Sequence, residues 1–283
     1  MKDRAFAKIN LCLDVIGGRS DGYHELKMIM APLDFYDVVE MNIADKTTLS
    51  VNRSYLPNND KNTVIKVINT MRDMYYFKEQ FACTITKHIP TQAGLAGGSA
   101  DGASAIRLID RLLKLNLTRK EKLKIASKIG SDVPFCVLNE PAYVEGTGDV
   151  ILPFENNTDF HLLLVKPRKG VSTKQAFDMI DKREAIHPDC LKMKHALEDN
   201  DYFGVVDALG NSLEGVAIEL VPDIQTIKDQ LIKVGFDGAL MSGSGSTVFG
   251  ITRDERLVDA SMPKFRDMGY FVRKTKIYKK ENY

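Results

Sequence analysis

Apolar and polar positions alternate along the chain in runs that predict a mixed α and β fold. Residues 4–15 combine β-branched and small residues and read as a strand, closed by the glycine-rich turn at residues 17–22. Strand-like segments follow at residues 25–32, 37–43 and 81–85. Between them, Val64, Val67, Ile68 and Met71 recur at helical spacing within residues 62–74. A glycine-rich segment over residues 90–102 then leads into Ile106, Ile109 and Leu113, which share one helical face. The order is strand, glycine-rich loop, helix.

Thr118 and Glu121 have the spacing of a capping box opening a further helix, with Gly130 as its stop. A short loop is expected at residues 131–134. Beyond Gly146 and Gly148 the pattern changes: a strand at 161–165, helices near 173–180, 202–210 and 224–234, and a strand from Gly238 broken at residues 242–246. Residues 247–251, a last helix and residues 270–278 close the chain. With 283 residues there is room for two domains, and a boundary near residue 153 separates 1–153 from 154–283.

The formal net charge is +1, so no global field draws the protein to nucleic acid or to a membrane, and any anion must be bound by a local arrangement. No apolar run approaches a membrane span, and the N-terminal stretch lacks a signal peptide, so the expected location is cytoplasmic. The four cysteines (Cys12, Cys83, Cys136, Cys190) form no CxxC pair and read as buried or incidental thiols. The five histidines have no zinc-ligand spacing.

Candidate chemistry concentrates in few places. The loop Gly94-Leu95-Ala96-Gly97-Gly98-Ser99-Ala100 opens a helix, whose N-terminal N–H groups and partial positive charge suit a phosphate. Ser99 offers a hydroxyl to a phosphate or to Mg²⁺. The loop is not a Walker A motif, because no Lys-Ser/Thr follows its last glycine, and it lacks the G-x-G-x-x-G spacing of a Rossmann turn. Lys8 interrupts an apolar β-like run, where a lysine is either a snorkelling edge residue or part of a site. Asp132 lies in a short loop between Gly130 and Pro134, where a turn carboxylate is the ordinary alternative.

Three separated motifs change that balance: Ala7-Lys8-Ile9-Asn10-Leu11, residues 90–104 (PTQAGLAGGSADGAS) and residues 241–248 (MSGSGSTV). With them the chain resembles the GHMP kinase superfamily of small-molecule kinases. Asp21-Gly22-Tyr23-His24 and residues 129–137 (IGSDVPFCV) make it most similar to the branch that phosphorylates the 2-hydroxyl of 4-diphosphocytidyl-2-C-methyl-D-erythritol with ATP, in the non-mevalonate route to isoprenoid precursors.

The resemblance implies an α+β, two-domain GHMP kinase fold. Its N-terminal α/β domain has a left-handed βαβ crossover, and its C-terminal domain is ferredoxin-like. It implies Lys8 and Asp132 beside the acceptor hydroxyl, with Asn10, Tyr23, His24, Phe177, Ser242 and Gly243 as substrate contacts. ATP, with Mg²⁺, is expected on Pro90, Gly94 to Ala100, Asn62 and Lys87. The implied partner is the small-molecule substrate, in a monomer or homodimer.

Ala96 and Ala100 stand where the family often has Gly and Ser, and Gly102 stands where Ala is usual. Gly102 should cost the helix roughly 0.5–1 kcal/mol. Two other readings remain: a homoserine or mevalonate type of GHMP kinase, for which Tyr23-His24 has no use, or a catalytically silent nucleotide-binding relative.

Overall fold

In a computed structural model, residues 1–280 are described, so the last three positions of the expected C-terminal domain lie outside the described residues. The chain opens with two long strands, β1 (Lys2–Gly18) and β2 (His24–Ala44), then β3 (Thr48–Val51), α1 (Thr63–Tyr75) and β4 (Gln80–Thr86). Three helices follow: α2 (Gly97–Leu113), α3 (Arg119–Ser127) and α4 (Val133–Leu138). Next come β5 (Ala142–Gly146), β6 (Val150–Pro153), β7 (His161–Lys166), α5 (Thr173–Ile180), α6 (Cys190–Glu198) and α7 (Tyr202–Asp207). The chain ends with β8 (Gly210–Asn211), α8 (Glu214–Leu220), α9 (Asp223–Val234), β9 (Gly238–Met241), β10 (Val248–Thr252), α10 (Glu255–Asp267) and β11 (Phe271–Thr275). Among the described residues no helix is long and apolar enough to cross a membrane.

The chain divides into two compact units. The first comprises Met1–Ala7, Phe35–Thr91 and Ala96–Asn139; the second comprises Lys8–Asp34, Gln92–Leu95 and the chain from Glu140 onward. β1 and β2 run through both.

In the first unit, the second half of β2 pairs antiparallel with β4, and β4 pairs parallel with β3, with α1 as the crossover. Helix α1 starts where Asn62 accepts a hydrogen bond from the Val64 N–H, and it buries Val64, Val67, Ile68 and Met71, the stripe expected from spacing. Fully burying each such aliphatic side chain contributes roughly 1.5–3 kcal/mol. Helix α2 packs against α1, α3 and α4. It is tied to the start of β1 by Asp3, which accepts from Ser104 Oγ at 2.8 Å, Arg107 Nε at 2.9 Å and Arg111 Nη2 at 2.6 Å. The capping box at Thr118 and Glu121 is formed in both directions. Gly102, unfavourable by propensity, has a packing reason: a Cβ there would lie 2.6 Å from Thr63 Cγ2.

In the second unit, the first half of β2 pairs with β5, β5 with β6, and β1 runs parallel to β8 through Cys12 and Leu13. A separate four-stranded sheet has the order β11-β7-β10-β9, all antiparallel. Taking β7, β9, β10 and β11 with α9 and α10, its order is that of a ferredoxin-like βαββαβ module.

Several expectations need correction. Residues 25–32 and 37–43 lie in one continuous strand that runs on through Pro32 and Asp34, with Leu33 and Phe35 buried on either side of Asp34. Gly210 lies in β8 rather than at the end of a helix, since α7 stops at Asp207. The loop expected at 131–134 holds for residues 131 and 132, but α4 already begins at Val133, with Pro134 in its first turn, where the missing N–H costs nothing. Cys12 and Cys190 are not incidental thiols but form a disulfide across a sequence separation of 178 residues, with Cα atoms 5.5 Å apart. Cys83 and Cys136 are buried and take no part in that bridge.

Candidate active site

Three distant sequence motifs converge in the second unit. Lys8 is only 4% exposed. The Lys8 Nζ donates to Asn10 Oδ1 at 2.6 Å, and the Lys8 N–H donates to the Leu95 carbonyl at 3.2 Å. Alternation along β1 puts Lys8 and Asn10 on the same face of the strand. The Asn10 N–H donates to Ser242 Oγ at 3.2 Å, and the Ser242 hydroxyl donates to the Gly94 carbonyl at 3.0 Å. Gly243 has φ +56°, and a Cβ on it would stand 3.2 Å from Lys8 Nζ and 3.3 Å from Asn10 Oδ1. A side chain there would crowd that ammonium, and the positive φ favours glycine. Gly94, at φ +71°, is tighter still: its Cβ would fall 1.9 Å from the Ser242 carbonyl oxygen.

One residue that holds this arrangement escaped the sequence reading. Asn211 is fully buried in β8, and its Nδ2 donates to the carbonyls of Met241 and Gly243, each at 2.8 Å. The only signal was an asparagine between Gly210 and Ser212, which by itself indicates a turn.

Also in the second unit, the rings of His24 and Phe177 lie 4.6 Å apart at an interplanar angle of 31°. His24 Nε2 is 2.7 Å from Asp181 Oδ1, another partner the sequence did not flag. Tyr23 precedes this pair and is 60% exposed, with its N–H donating to Asp21 Oδ1 at 3.1 Å. Phe177 is carried by α5, which Thr173 joins to the third motif through a 2.8 Å hydrogen bond between its hydroxyl and that of Ser244.

The remaining candidates belong to the first unit. Ala96 takes the N-cap position of α2 in the left-handed region, at φ +55°, with no side-chain cap. The first N–H groups of a helix have no intrahelical partner, so Gly97, Gly98 and Ser99 present donors suited to an anion. Gly98 is exposed, and Ser99 and Pro90 are half-buried. Ala100 is buried and donates to the Ala96 carbonyl. Asn62 is the N-cap of α1, with its Nδ2 donating to the Pro57 carbonyl at 2.8 Å. Asp132 occupies the N-cap position of α4 without capping it. Lys87 is buried between Asp37 and Asp101, donating to Asp101 Oδ2 at 2.6 Å and to Asp37 Oδ2. Burial works against its charge, yet Asp101 and Asp37 outweigh that and hold the ammonium above its usual pKa.

Comparison with known proteins identifies the family. The family model described as "GHMP kinases N terminal domain" matches residues 62–140, and "GHMP kinases C terminal" matches residues 193–268. A 4-diphosphocytidyl-2-C-methyl-D-erythritol kinase of Clostridium tetani (strain Massachusetts / E88) is 40% identical over 88% of this chain and 90% of its own length. The enzyme of that name from Enterococcus faecalis (strain ATCC 700802 / V583) is 39% identical over 97% and 99%.

This chain is a GHMP kinase. It belongs to the 4-diphosphocytidyl-2-C-methyl-D-erythritol kinase family, and its two-domain fold is the GHMP kinase fold. A crystal structure of 4-(cytidine 5'-diphospho)-2C-methyl-D-erythritol kinase aligns over 99% of this chain and 100% of its own, with a TM-score of 0.83 and 25% identity. GHMP kinases use ATP as phosphoryl donor, and the uncapped start of α2 is the element here that suits a phosphate.

Proposed function

We propose that this protein transfers the γ-phosphoryl of ATP to the 2-hydroxyl of 4-diphosphocytidyl-2-C-methyl-D-erythritol. The observation that carries the reading is the cluster of Lys8, Asn10, Gly94, Ser242 and Gly243, in which a buried ammonium held by Asn10 is packed against glycines at positive φ. The family relation adds the substrate. The ATP-binding half corresponds to residues 1–153 and the substrate half to 154–283, in keeping with family matches on either side of residue 153. A cytoplasmic enzyme, monomeric or homodimeric, fits this chemistry.

The roles are those the family resemblance implies, and the residue types suit them. Asp132 orients the acceptor hydroxyl and accepts its proton as the oxygen bonds to the γ-phosphorus and the bond to the β,γ-bridging oxygen breaks, releasing ADP. Lys8 stabilises the charge that develops on the acceptor and on the transferring group. The N–H groups at Gly97, Gly98 and Ser99 hold the phosphates, with Gly94, Leu95, Ala96 and Ala100 shaping the loop and Pro90, Asn62 and Lys87 completing the nucleotide site. No group of three or more His, Cys, Asp or Glu among the described residues suits a metal. Mg²⁺ therefore fits as an ion carried on the nucleotide phosphates, with the Ser99 hydroxyl as its protein contact.

Tyr23, His24 and Phe177 form the cytosine site. An aromatic ring stacked on a base contributes roughly 1–3 kcal/mol. Tyr23→Ala and Phe177→Ala are each expected to raise KM for the cytidine substrate about tenfold and to leave KM for ATP unchanged. His24→Ala is expected to narrow the preference for cytidine over uridine substrate. Steady-state kinetics with both substrates reads these effects, and three variants with the parent's cytidine KM would remove the cytosine assignment.

A further inference from the structure

The acidic pair beside the start of α2 has no part in the chemistry above. Asp101 is 4% exposed, Asp37 is fully buried, and they share Lys87 as counter-ion. Asp37 is well satisfied, since its Oδ1 also accepts the backbone N–H groups of His88 and Ile89. Asp101 is not: its Oδ1 is buried with no hydrogen-bond partner among the described residues. Two carboxylates and one ammonium leave an excess negative charge out of reach of solvent, and a group in that position is neutralised by taking up a proton. Burial above all pushes the Asp101 carboxyl up to about 7; Lys87 opposes this and Asp37 reinforces it.

The cluster adjoins the phosphate loop. Lys87 Nζ lies 3.3 Å from where a Cβ of Gly97 would stand. Asp101 is in the same helix one turn further on, and helical side chains lean toward the N-terminus. Lys87 and Asp37 are the charged groups that face it. Of the other elements on α2, α1 presents the uncharged Thr63, and α4 carries no charge within Val133–Leu138, with Asp132 at its N-cap. Lys122 of α3 is paired with Asp110, and Arg107 of α2 itself is turned to Asp3.

We propose that nucleotide binding at the first turn of α2 is coupled to proton uptake by the Asp37–Lys87–Asp101 cluster, with Asp101 as the residue that takes the proton. This rests on the loop being the ATP site. A polyphosphate beside the cluster disfavours its excess negative charge, and protonation of Asp101 removes that charge while leaving the Lys87–Asp37 pair intact. Affinity is therefore fully present below the Asp101 pKa and declines as pH rises through about 7.

The test is calorimetric titration of the full chain with Mg²⁺ and the non-hydrolysable analogue adenylyl imidodiphosphate, in buffers of different ionisation enthalpy. The wild-type protein is expected to take up a fraction of a proton approaching one, and Kd is expected to rise roughly threefold to tenfold between about pH 7 and about pH 8.5. Asp101→Asn keeps an acceptor for Lys87 and is neutral at every pH, so both effects should vanish relative to wild type. The analogue's own titration is common to both proteins and cancels in the comparison. Infrared difference spectra of the wild type, with and without the analogue, should show a gain in the C=O stretch of a protonated carboxylic acid, which keeps the test independent of how the variant folds. No proton uptake by wild type, or equal uptake by Asp101→Asn, overturns the proposal while the loop remains the ATP site. Normal binding by a folded Gly98→Val protein overturns the loop assignment and the coupling with it.

Discussion

Asp132→Asn is expected to lower kcat by about 10²–10⁴-fold, the usual contribution of a positioned general base, with Kd for both substrates close to that of the parent. The asparagine keeps the size and the N-cap position at the start of α4, and no side-chain cap hydrogen bond is lost. What is lost is the capacity to accept the hydroxyl proton as the oxygen attacks. A variant that lowers kcat and kcat/KM equally has lost an interaction made only in the transition state. Lys8→Met should behave alike, since methionine retains the packing on β1 and removes the ammonium that Asn10 holds in place. Single-turnover kinetics beside direct binding separates the two quantities. Near-normal turnover by Asp132→Asn would assign the carboxylate a structural role.

Gly98→Val is the second large effect, and the space around each glycine makes it the informative choice. A Cβ at Gly98 meets only Thr63 Oγ1, at 3.7 Å, an ordinary contact. The protein itself therefore tolerates a side chain there, and any loss of nucleotide affinity reports a ligand that needs close approach to the backbone. Losing one or two charge-assisted hydrogen bonds to phosphate, at about 1.5–3 kcal/mol each, corresponds to a rise in KM for ATP of roughly tenfold to a hundredfold or more. Gly97→Val would be harder to interpret, because its Cβ comes 2.9 Å from Ile89 Cγ2 and crowds Lys87. Gly94→Val disturbs the second unit directly, through the Ser242 carbonyl and a backbone at φ +71°. Thermal melts accompany the kinetics: Gly98→Val should melt within a few degrees of the parent, and an unchanged KM for ATP would exclude the loop as the phosphate site.

How much of this was legible in the sequence depended on how far apart the partners lie. The Thr118–Glu121 box and the α1 stripe could be read because the interacting residues are three or four positions apart. Glycine placement announced a loop leading into α2, but the helix already begins at Gly97, inside the glycine-rich segment 90–102. The association of Lys8 with Ser242 and Gly243 could not come from spacing, and the motifs became informative only through family resemblance. Asn211 and the Asp37–Lys87–Asp101 cluster gave no signal because each isolated residue is ordinary; their meaning comes from burial, which spacing does not encode. The Cys12–Cys190 bridge escaped for the same reason, since parallel pairing of β1 with β8 and the approach of α6 are long-range events. Gly102 was legible as a cost to the helix, whereas its benefit, room for Thr63, is visible only in packing.

The direct measurement of the proposed reaction is ADP release by the purified full chain with ATP and Mg²⁺, in the presence of 4-diphosphocytidyl-2-C-methyl-D-erythritol, mevalonate or homoserine, with the phosphorylated product identified by mass and ³¹P NMR. Turnover is expected with the cytidine compound, with phosphate on its 2-hydroxyl, and background release with the other two. Turnover with mevalonate or homoserine in preference to the cytidine compound, or nucleotide binding without turnover of any of them, would contradict the proposed reaction.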